Sequence, residues 1–473
     1  MFKQINNDFC GKLNINSETY FDTFFYVLDD MVTLIPVTEK CKTLLVDLEN
    51  NCVNKSYKWL YGIAQNGCSV AFYNPGGLNV SFSYPVNLQP AKFKAPIILQ
   101  SSSPVKIDLR SFDEIEFRSG VVNLLQLPSK AIEECYSKKY LKFSSPSFYT
   151  KEFPVHVNGV SFKIIYTVSL TDMNIEFGKV PDLRQQISSA LRFEFDEAQP
   201  IERFETYYKY ALRLFQFCTG RSNLGFTVRL FKHTTTERQM ILAKCVDGFS
   251  DYADQHLNYT HIIHFDDLND KLPNIFQLLN EEKKQPSLLF LPKRNKDVGY
   301  IYHTNITDLC VALELEYNYE NKDQIDNDQR EAKKLATDLN NFINKSEYPI
   351  RVKNKAINLN NNSLQNMQPS ITEKIISLYS KFEKQLNEIT KAKLYDSNGI
   401  PTLYTDEEFK KRISKFVLLR HRSAHAGIVW NEGVEVYEHL QILVYFSILK
   451  RANYTSEESK LIISNLFGYK FLR

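Results

Sequence analysis

The first 198 residues alternate short apolar runs with polar breaks, a pattern typical of strands rather than helices. The runs are rich in β-branched and aromatic residues: FFYVLDD, MVTLIPV, KTLLVDL, SVAFYN, LNVSFSYPV and VKIDLR. Pro75-Gly76-Gly77 marks a turn, and Asn158-Gly159 separates two alternating runs, which is the strongest short signal for a hairpin. The pattern predicts a β-rich domain over residues 1–198, with a sandwich or barrel-like arrangement.

The pattern changes at Gln199-Pro200, where apolar residues begin to recur at helical spacing. Apolar side chains at positions 204, 208, 211, 212, 215 and 218 predict a helix that ends at Gly220. The strand-like runs GFTVRLF and THIIHF follow, then a helix near Lys271–Glu282 and a strand at SLLFL. We therefore expect a mixed α/β intermediate region over residues 199–298.

From about Tyr300 onward the apolar spacing predicts helices, and residues 299–473 are expected to form a helical bundle. The predicted helices include ITDLCVALELEYN, DQREAKKLATDLNNFI, SITEKIISLYSKFEKQLNEI, TDEEFKKRISKFVLLRHRSAH and VEVYEHLQILVYFSILKRA. Capping boxes are predicted at Ser370 with Glu373, at Thr405 with Glu408, and at Thr455 with Glu458. The Asn-rich run KNKAINLNNNSLQNMQP has no periodicity and is predicted to be a loop. The whole chain is thus an α+β multidomain protein.

Composition narrows the class of protein. Hydrophobic residues make up 43 % of the 473 residues, enough to bury a sizeable core. No apolar run approaches the roughly 18 residues of a membrane helix, and the N-terminus lacks a signal pattern, so we expect a cytoplasmic location. Eight scattered cysteines without C-x-x-C indicate reduced, buried thiols. A net charge of +3 is too small to mark the whole chain as a nucleic-acid binder, so any such surface must be local.

One predicted helix carries an unusual charge pattern. Between positions 410 and 422 stand six cations and no acid: Lys410, Lys411, Arg412, Lys415, Arg420 and Arg422. Exposed helices usually mix charges, because like neighbours repel each other. Cations are favourable near a helix C-terminus, which explains the last two but not Lys410 and Lys411. The pattern therefore indicates a surface for a polyanion, with a phosphate backbone the obvious candidate.

The same segment holds two of the nine histidines, His421 and His425. At about 100° per residue these two share a helix face, while Arg420 and His425 lie roughly 140° apart. An ideal helix therefore presents Arg420 and His425 poorly to one substrate atom. Two arrangements bring them together: Gly427 ends the helix and redirects His425, or a second copy supplies the missing group across a two-fold axis.

Arg420-His421-Arg422-Ser423-Ala424-His425 resembles the signature of the HEPN superfamily, which is Arg, then Asn, Asp or His, then three residues, then His. The motif is short, but it lies near the end of the penultimate long helix of a C-terminal bundle, as that family has it. A β-rich N-terminal half before such a bundle resembles the Apea-like branch, which is associated in bacteria with defence against phage. The motif covers six residues and the bundle about 170, while the N-terminal likeness rests on overall pattern alone.

The resemblance implies an endoribonuclease that needs neither a metal ion nor another cofactor and leaves a 2′,3′-cyclic phosphate and a 5′-OH. His425 would be the acid and base, Arg420 the electrostatic clamp, and His421 a group that holds geometry. Ser423 could add a hydrogen bond, while Lys411, Arg412, Lys415 and Arg422 would bind RNA. A single-stranded loop, as in tRNA, suits such a site. The resemblance further implies an abortive-infection effector that forms a homodimer or a higher even-numbered oligomer and has a phage-derived protein as trigger.

Other interpretations stay open. The bundle could be a non-catalytic dimeric interaction or RNA-binding domain, in which case the β-rich domain would bind a protein or ligand. HLNYTHIIHFDD offers His256, His261, His264, Asp266 and Asp267 as metal ligands, although a strand would point His261 and His264 to opposite faces. Glu314 and Glu316 could orient a site histidine, or form surface salt bridges. The sequence contains no glycine-rich phosphate loop and no G-x-S-x-G.

Overall fold

The structure is a computed structural model, and it describes residues 5, 8–14, 23–28, 31–37, 59–73, 82–83, 87–88, 91–104, 106–125, 149–170, 187–235, 237–245, 261–293, 297, 300–365, 369–390, 406–420 and 436–468. The chain divides into two compact units, Met1–Asn280 and Glu281–Arg473. The first unit contains a large antiparallel sheet and the second is helical, so the α+β class is confirmed. No helix among the described residues is both long and apolar enough to cross a membrane.

The first unit is built on strands that pair antiparallel throughout. They are β1 Asp8–Asn14, β2 Thr23–Leu28, β3 Met31–Pro36, β4 Trp59–Ala64, β5 Ser69–Tyr73, β6 Phe82–Ser83, β7 Asn87–Leu88, β8 Ala91–Lys94, β9 Ile97–Ser101, β10 Ser111–Arg118, β11 Tyr149–Val157, β12 Val160–Leu170, β13 Ile187–Pro200, β14 Thr227–His233 and β15 Arg238–Cys245. Thirteen of them form one sheet in the order β11-β12-β13-β10-β14-β15-β9-β5-β4-β1-β2-β3-β8, and β6 pairs with β7. Because β14 and β15 lie between β10 and β9, residues from the predicted middle region complete the sheet begun by the N-terminal strands.

Helices pack against β10, β12 and β13 of this sheet through aromatic side chains. The helices of the unit are α1 Gly120–Leu124, α2 Phe204–Thr219, α3 Phe265–Leu268 and α4 Leu272–Asn280. Tyr207 of α2 lies 4.5 Å from Phe195, and Phe276 of α4 lies 5.4 Å from Phe193, measured between ring centroids. Burying such rings stabilises the contact through both apolar area and edge-to-face geometry. As predicted, α2 is followed by Gly220, whose φ of 64° is the left-handed conformation that ends many helices.

The predicted hairpin at Asn158-Gly159 is confirmed between β11 and β12. Both turn residues have positive φ, 50° for Asn158 and 80° for Gly159, as the two-residue hairpin turn requires. The Asn158 amide also donates to the Tyr210 hydroxyl at 2.7 Å and to the Asn280 carbonyl at 3.0 Å. The turn therefore fixes both the register of the hairpin and its contact with α2 and α4.

The described part of the second unit consists of helices joined by loops. They are α5 His303–Glu320, α6 Lys322–Lys345, α7 Ile350–Gln365, α8 Ile371–Thr390, α9 Asp406–Leu419, α10 Tyr437–Arg451 and α11 Ser456–Phe467. Helices α5, α8, α9 and α10 contact one another around a core of apolar side chains, among them Leu313, Leu378 and Leu443. The predicted capping boxes before α8 and α11 are confirmed, with Glu373 accepting from the Ser370 N–H at 2.7 Å. The Thr405 box lies outside the described residues.

The prediction of a loop over KNKAINLNNNSLQNMQP is wrong for residues 353–365, because α7 covers them. Asparagine is a poor former of isolated helices, so the run looked irregular. In the structure these asparagines bond to the neighbouring helix. Asn360 donates to the Ala336 carbonyl at 3.1 Å and to Asn340 at 2.9 Å, and Asn340 donates to Asn361 at 2.8 Å. A polar seam between α6 and α7 thus stabilises a helix that the sequence pattern did not predict.

Three predicted strands are also wrong: in VKIDLR, THIIHF and SLLFL, the described residues 106–110, 261–265 and 287–291 form no strand. In each case a backbone group bonds to a side chain or to a helix carbonyl instead of the backbone of a neighbouring strand. The Ile107 N–H donates to the Ser69 hydroxyl at 3.0 Å, and the Ile263 N–H donates to the Cys218 carbonyl at 2.8 Å. The Phe290 carbonyl accepts from the Asn305 amide at 3.1 Å. Most of their apolar side chains, among them Ile107, Ile263 and Phe290, are buried by loop packing, which gives the same short apolar run as a strand, whereas Leu289 is exposed. The predicted run KTLLVDL and the turn at Pro75-Gly76-Gly77 lie outside the described residues.

Candidate functional site

Helix α9 carries the described part of the predicted site. Phe409, Ile413 and Phe416 recur at intervals of four and three, and all are buried. The Phe409 ring lies 4.7 Å from Tyr379 of α8, and the Phe416 ring lies 6.2 Å from Tyr437 of α10. These contacts hold one face of α9 against the bundle and leave the opposite face to solvent.

The outward part of α9 is basic, as the charge pattern indicated. Lys411 is exposed, and Lys410, Arg412 and Lys415 are half-buried. Lys411 and Lys415 are four residues apart, so they lie about 40° from each other on the helix surface. Arg412 lies about 60° from Lys415, so the three predicted RNA-binding residues that the structure describes, Lys411, Arg412 and Lys415, form a basic strip that covers about 100° of the α9 surface.

Arg420 follows the last residue of α9, where the chain forms a turn. Its N–H donates to the Val417 carbonyl at 3.1 Å, three residues back instead of the four of an α-helix, and the residue is half-buried. The expectation that regular helical spacing runs through Arg420 is therefore wrong, because α9 ends at Leu419. A turn re-aims the residues at a helix end, so the angle of about 140° calculated for an ideal helix does not apply to Arg420.

The positive charge of Arg420 acts on Cys310, a buried residue of α5. Burial raises the pKa of the Cys310 thiol to about 12, the Arg420 guanidinium lowers it in part, and the Glu314 carboxylate raises it. The thiol is consequently neutral and unreactive at physiological pH. The Arg420 guanidinium therefore lies near enough to α5 for its positive charge to lower the pKa of Cys310.

A buried lysine balances Glu314, one helical turn beyond Cys310. Lys374 of α8 is only 4 % exposed, and its Nζ lies 2.6 Å from Glu314 Oε1. Sequence reasoning missed Lys374, although a signal was present: it lies three residues after Ile371 and four before Leu378, on the apolar side of α8. A lysine at an apolar position needs a partner, and here the partner is Glu314, whose charge also raises the pKa of Cys310.

Glu316 is a structural residue, which corrects the expectation that it forms a surface salt bridge or orients a histidine. It is completely buried, and Arg451 of α10 donates two hydrogen bonds to its carboxylate, at 2.7 and 2.9 Å. Burial raises the pKa of the Glu316 carboxyl, and the Arg451 charge and its hydrogen bonds oppose that rise. This pair ties α5 to α10.

The remaining predicted site residues, His421, Arg422, Ser423 and His425, lie outside the described residues, as does His256. Of the other candidate metal ligands, Asp266 pairs with Lys151 at 2.7 Å, and Asp267 accepts from the His264 N–H at 3.0 Å. Over the described ranges, no group of three or more His, Cys, Asp or Glu side chains is placed to hold a metal ion. The described site thus consists of Arg420, the basic strip of α9, and the pair formed by Glu314 and Lys374.

Comparisons with known proteins complete these observations. No protein-family model, no curated protein and no solved structure matches this chain.

Proposed function

We propose that this chain is a metal-independent endoribonuclease with a HEPN-type helical bundle, acting on RNA loops such as those of tRNA in defence against phage. The observation that carries the proposal is Arg420, held in a turn directly after the acid-free basic part of α9 and directly before His421. Arginine, unlike lysine, can bind a crowded phosphate with two parallel hydrogen bonds.

The electrostatics around Arg420 support this role. Arginine stays protonated in proteins, and Glu314, the α5 acid whose charge also reaches Cys310, is already paired with Lys374. Arg420 is not part of that ion pair, and its charge adds to those of Lys411 and Lys415 on the helix that precedes it. A polyanion that lies along α9 would approach Arg420 at its end.

The chemistry requires one base and one acid. The base removes the proton of a ribose 2′-OH, whose oxygen attacks the adjacent phosphorus. The bond from phosphorus to the 5′-oxygen breaks, and the acid gives that oxygen a proton, leaving a cyclic phosphate and a free 5′-OH. Imidazole titrates near neutrality and suits both proton transfers, so we assign them to His425, with Arg420 stabilising the charge that develops on the phosphate. His421 holds geometry, and Ser423 supplies a hydrogen bond.

The test is RNA cleavage by the purified full chain, incubated with total tRNA and scored for new 5′-OH ends. We expect His425→Ala to lower the rate by about a hundredfold or more, as for loss of a general acid or base, and Arg420→Ala to act similarly. Two variants serve as matched controls, since both change exposed residues of the first unit that are not among the predicted RNA-site residues: His261→Ala and Arg110→Ala. EDTA should leave cleavage unchanged.

Several outcomes would contradict the proposal. Cleavage that EDTA abolishes would indicate a metal-dependent nuclease. RNA binding that depends on Lys411 and Lys415 without any cleavage would favour a non-catalytic RNA-binding bundle. Growth arrest on overexpression offers a second measurement in cells, since Arg420→Ala and His425→Ala should both relieve it. Arrest that persists in both variants would remove these residues from the mechanism.

A further inference from the structure

Helices α6 and α7 form an antiparallel hairpin with an exposed apolar face. Only Ala336 is buried among the 24 residues of α6. Large apolar side chains are exposed at Leu335, Leu339 and Phe342 of α6 and at Val352 and Leu359 of α7, with Phe342 at 74 %. A few scattered exposed apolar residues are normal, whereas a group of them on one hairpin is the kind of surface that marks interaction sites.

The five side chains lie on the same side of the hairpin. Leu335, Leu339 and Phe342 recur at intervals of four and three, so they share one strip of α6. The side of α6 that faces α7 carries Ala336 and Asn340. Leu335 and Leu339 each come one residue earlier, so the apolar strip precedes that side by about 100° of rotation around the helix axis.

On α7, Val352 and Leu359 are seven residues apart and share a strip in the same way. They precede by about 140° the side that carries Asn360 and Asn361 and faces α6. Offsets of the same sign bring strips on two antiparallel helices to the same side. The bonds from Asn360 to the Ala336 carbonyl and to Asn340 fix the level, so that Leu339 and Leu359 lie beside each other.

Charge is distributed unevenly along the hairpin. Residues 322–331, at the start of α6, contain four acids and two bases, whereas residues 333–355, around the tip, contain six bases and two acids. The start is therefore acidic and the tip basic. A second hairpin placed antiparallel against the first would bring each basic tip against an acidic start.

We propose that the face formed by Leu335, Leu339, Phe342, Val352 and Leu359 binds the same face of a second copy of this chain, antiparallel about a two-fold axis. With the axis level with residues 336 and 337, Leu335 lies beside the partner's Leu339. Phe342 then covers the partner's Ala332, and Lys345 meets the partner's Asp328. Every contact occurs twice, as an isologous interface requires.

The dimensions fit such an interface. Helix α6 is 24 residues long, about 36 Å, and the apolar strip occupies its central and C-terminal turns. Contact along this length, with α7 contributing at the side, approaches the roughly 800 Å² per partner of a standard protein interface. An RNA occupant fits less well, because the face is apolar and its α6 start is acidic. The inference does not depend on the proposed nuclease activity.

The test measures the oligomeric state of the purified full chain by sedimentation velocity over a series of concentrations. We expect a concentration-dependent dimer whose dissociation constant rises at least about tenfold in Leu339→Glu. Leu461→Glu is the matched control, because Leu461 is an exposed leucine of α11, outside the hairpin. Circular dichroism verifies that the variants keep their helix content.

Charge reversal tests the antiparallel arrangement directly. In Asp328→Lys, both contacts place a lysine against Lys345. In Lys345→Glu, both contacts place a glutamate against Asp328. Like charges repel in each case, so each variant alone should be largely monomeric. In a mixture of the two variants, both contacts are complementary, and dimers should reform to within about threefold of the original affinity. A monomeric parent chain, an unchanged dimer in Leu339→Glu, or no association in the mixture would overturn the proposal. Reduced RNA affinity in Leu339→Glu with an unchanged oligomeric state would assign the face to RNA instead.

Discussion

The buried pair of Glu316 and Arg451 gives the sharpest test of how the helical unit is held together. The Glu316 carboxylate accepts from Arg451 at 2.7 and 2.9 Å and from the Ser447 hydroxyl at 2.9 Å. The change to make is Glu316→Gln, which keeps the shape of the side chain and removes its charge. Arg451, whose side chain is 10 % exposed, then remains buried without its counter-ion.

Breaking a buried pair by removing one partner costs about 3–5 kcal/mol, mostly through the charge left behind. Arg451 retains other contacts, since it donates to the Lys284 carbonyl at 3.0 Å and lies 4.2 Å from the centre of the Tyr319 ring. We therefore expect a loss of about 3 kcal/mol, near the lower end of that range. Because burial raises the pKa of Glu316, the pair itself carries a desolvation cost, and replacing both residues by Met should recover most of the loss.

The assay is urea denaturation of the full chain, combined with hydrogen exchange of α5 and α10. Two units need not unfold in one step, and exchange assigns the change to the helical unit. The expected order of stability is the parent chain, then the double Met variant close to it, then Glu316→Gln. A Glu316→Gln chain within about 1 kcal/mol of the parent would refute the reasoning, as would a double variant no more stable than the single one.

Two further predictions concern the sheet unit. Burial alone raises the pKa of Glu114, but the hydrogen bond from Arg238 and the charge of Arg192 outweigh it and hold the pKa below its usual 4.5. The ionised Glu114 therefore stabilises the fold above pH 4.5, and this stabilisation is lost as the pH falls through the lower pKa of the folded state. Glu114→Gln should reduce the loss of stability on the acid side of the pH profile, measured by denaturation. An unchanged profile would show that Glu114 and its two arginines do not cause that loss. A Cβ on Gly11 would collide with the Ile63 carbonyl oxygen of the neighbouring strand, whereas one on Gly120 meets nothing within 4 Å. Gly11→Ala should cost about 1–3 kcal/mol and Gly120→Ala almost nothing; equal changes in melting temperature would contradict this.

Local signals in the sequence were sufficient for several elements. The turn at Asn158-Gly159 was predicted because positive φ is easy for these residues, and the structure has it. The capping box of Ser370 and Glu373 was predicted from residues three apart, which bond within a single turn. The helix before Gly220 followed from apolar spacing alone. In these cases the determining interactions lie within a few residues of each other.

The candidate site was predictable only in part. The basic composition of α9 was visible in the sequence, and Lys411, Arg412 and Lys415 lie on that helix as expected. The sequence did not predict that α9 ends at Leu419, since no glycine or proline beside Arg420 marks the end of the helix. The roles of His421 and His425 stay predictions.

The sequence by itself determined the α+β class, the major helices of the second unit, and the concentration of positive charge on α9, because periodicity, caps and charge runs act over a turn or two of chain. Only the tertiary structure decided that the Asn-rich run is helix α7, that Glu316 is buried, and that Lys374 pairs with Glu314 beside Cys310. Each of these depends on a partner dozens of residues away. A polar residue can be buried, or lie in a helix that its own propensity disfavours, when such a partner satisfies its hydrogen bonds or neutralises its charge. The spacing of residues along the chain does not show where that partner lies.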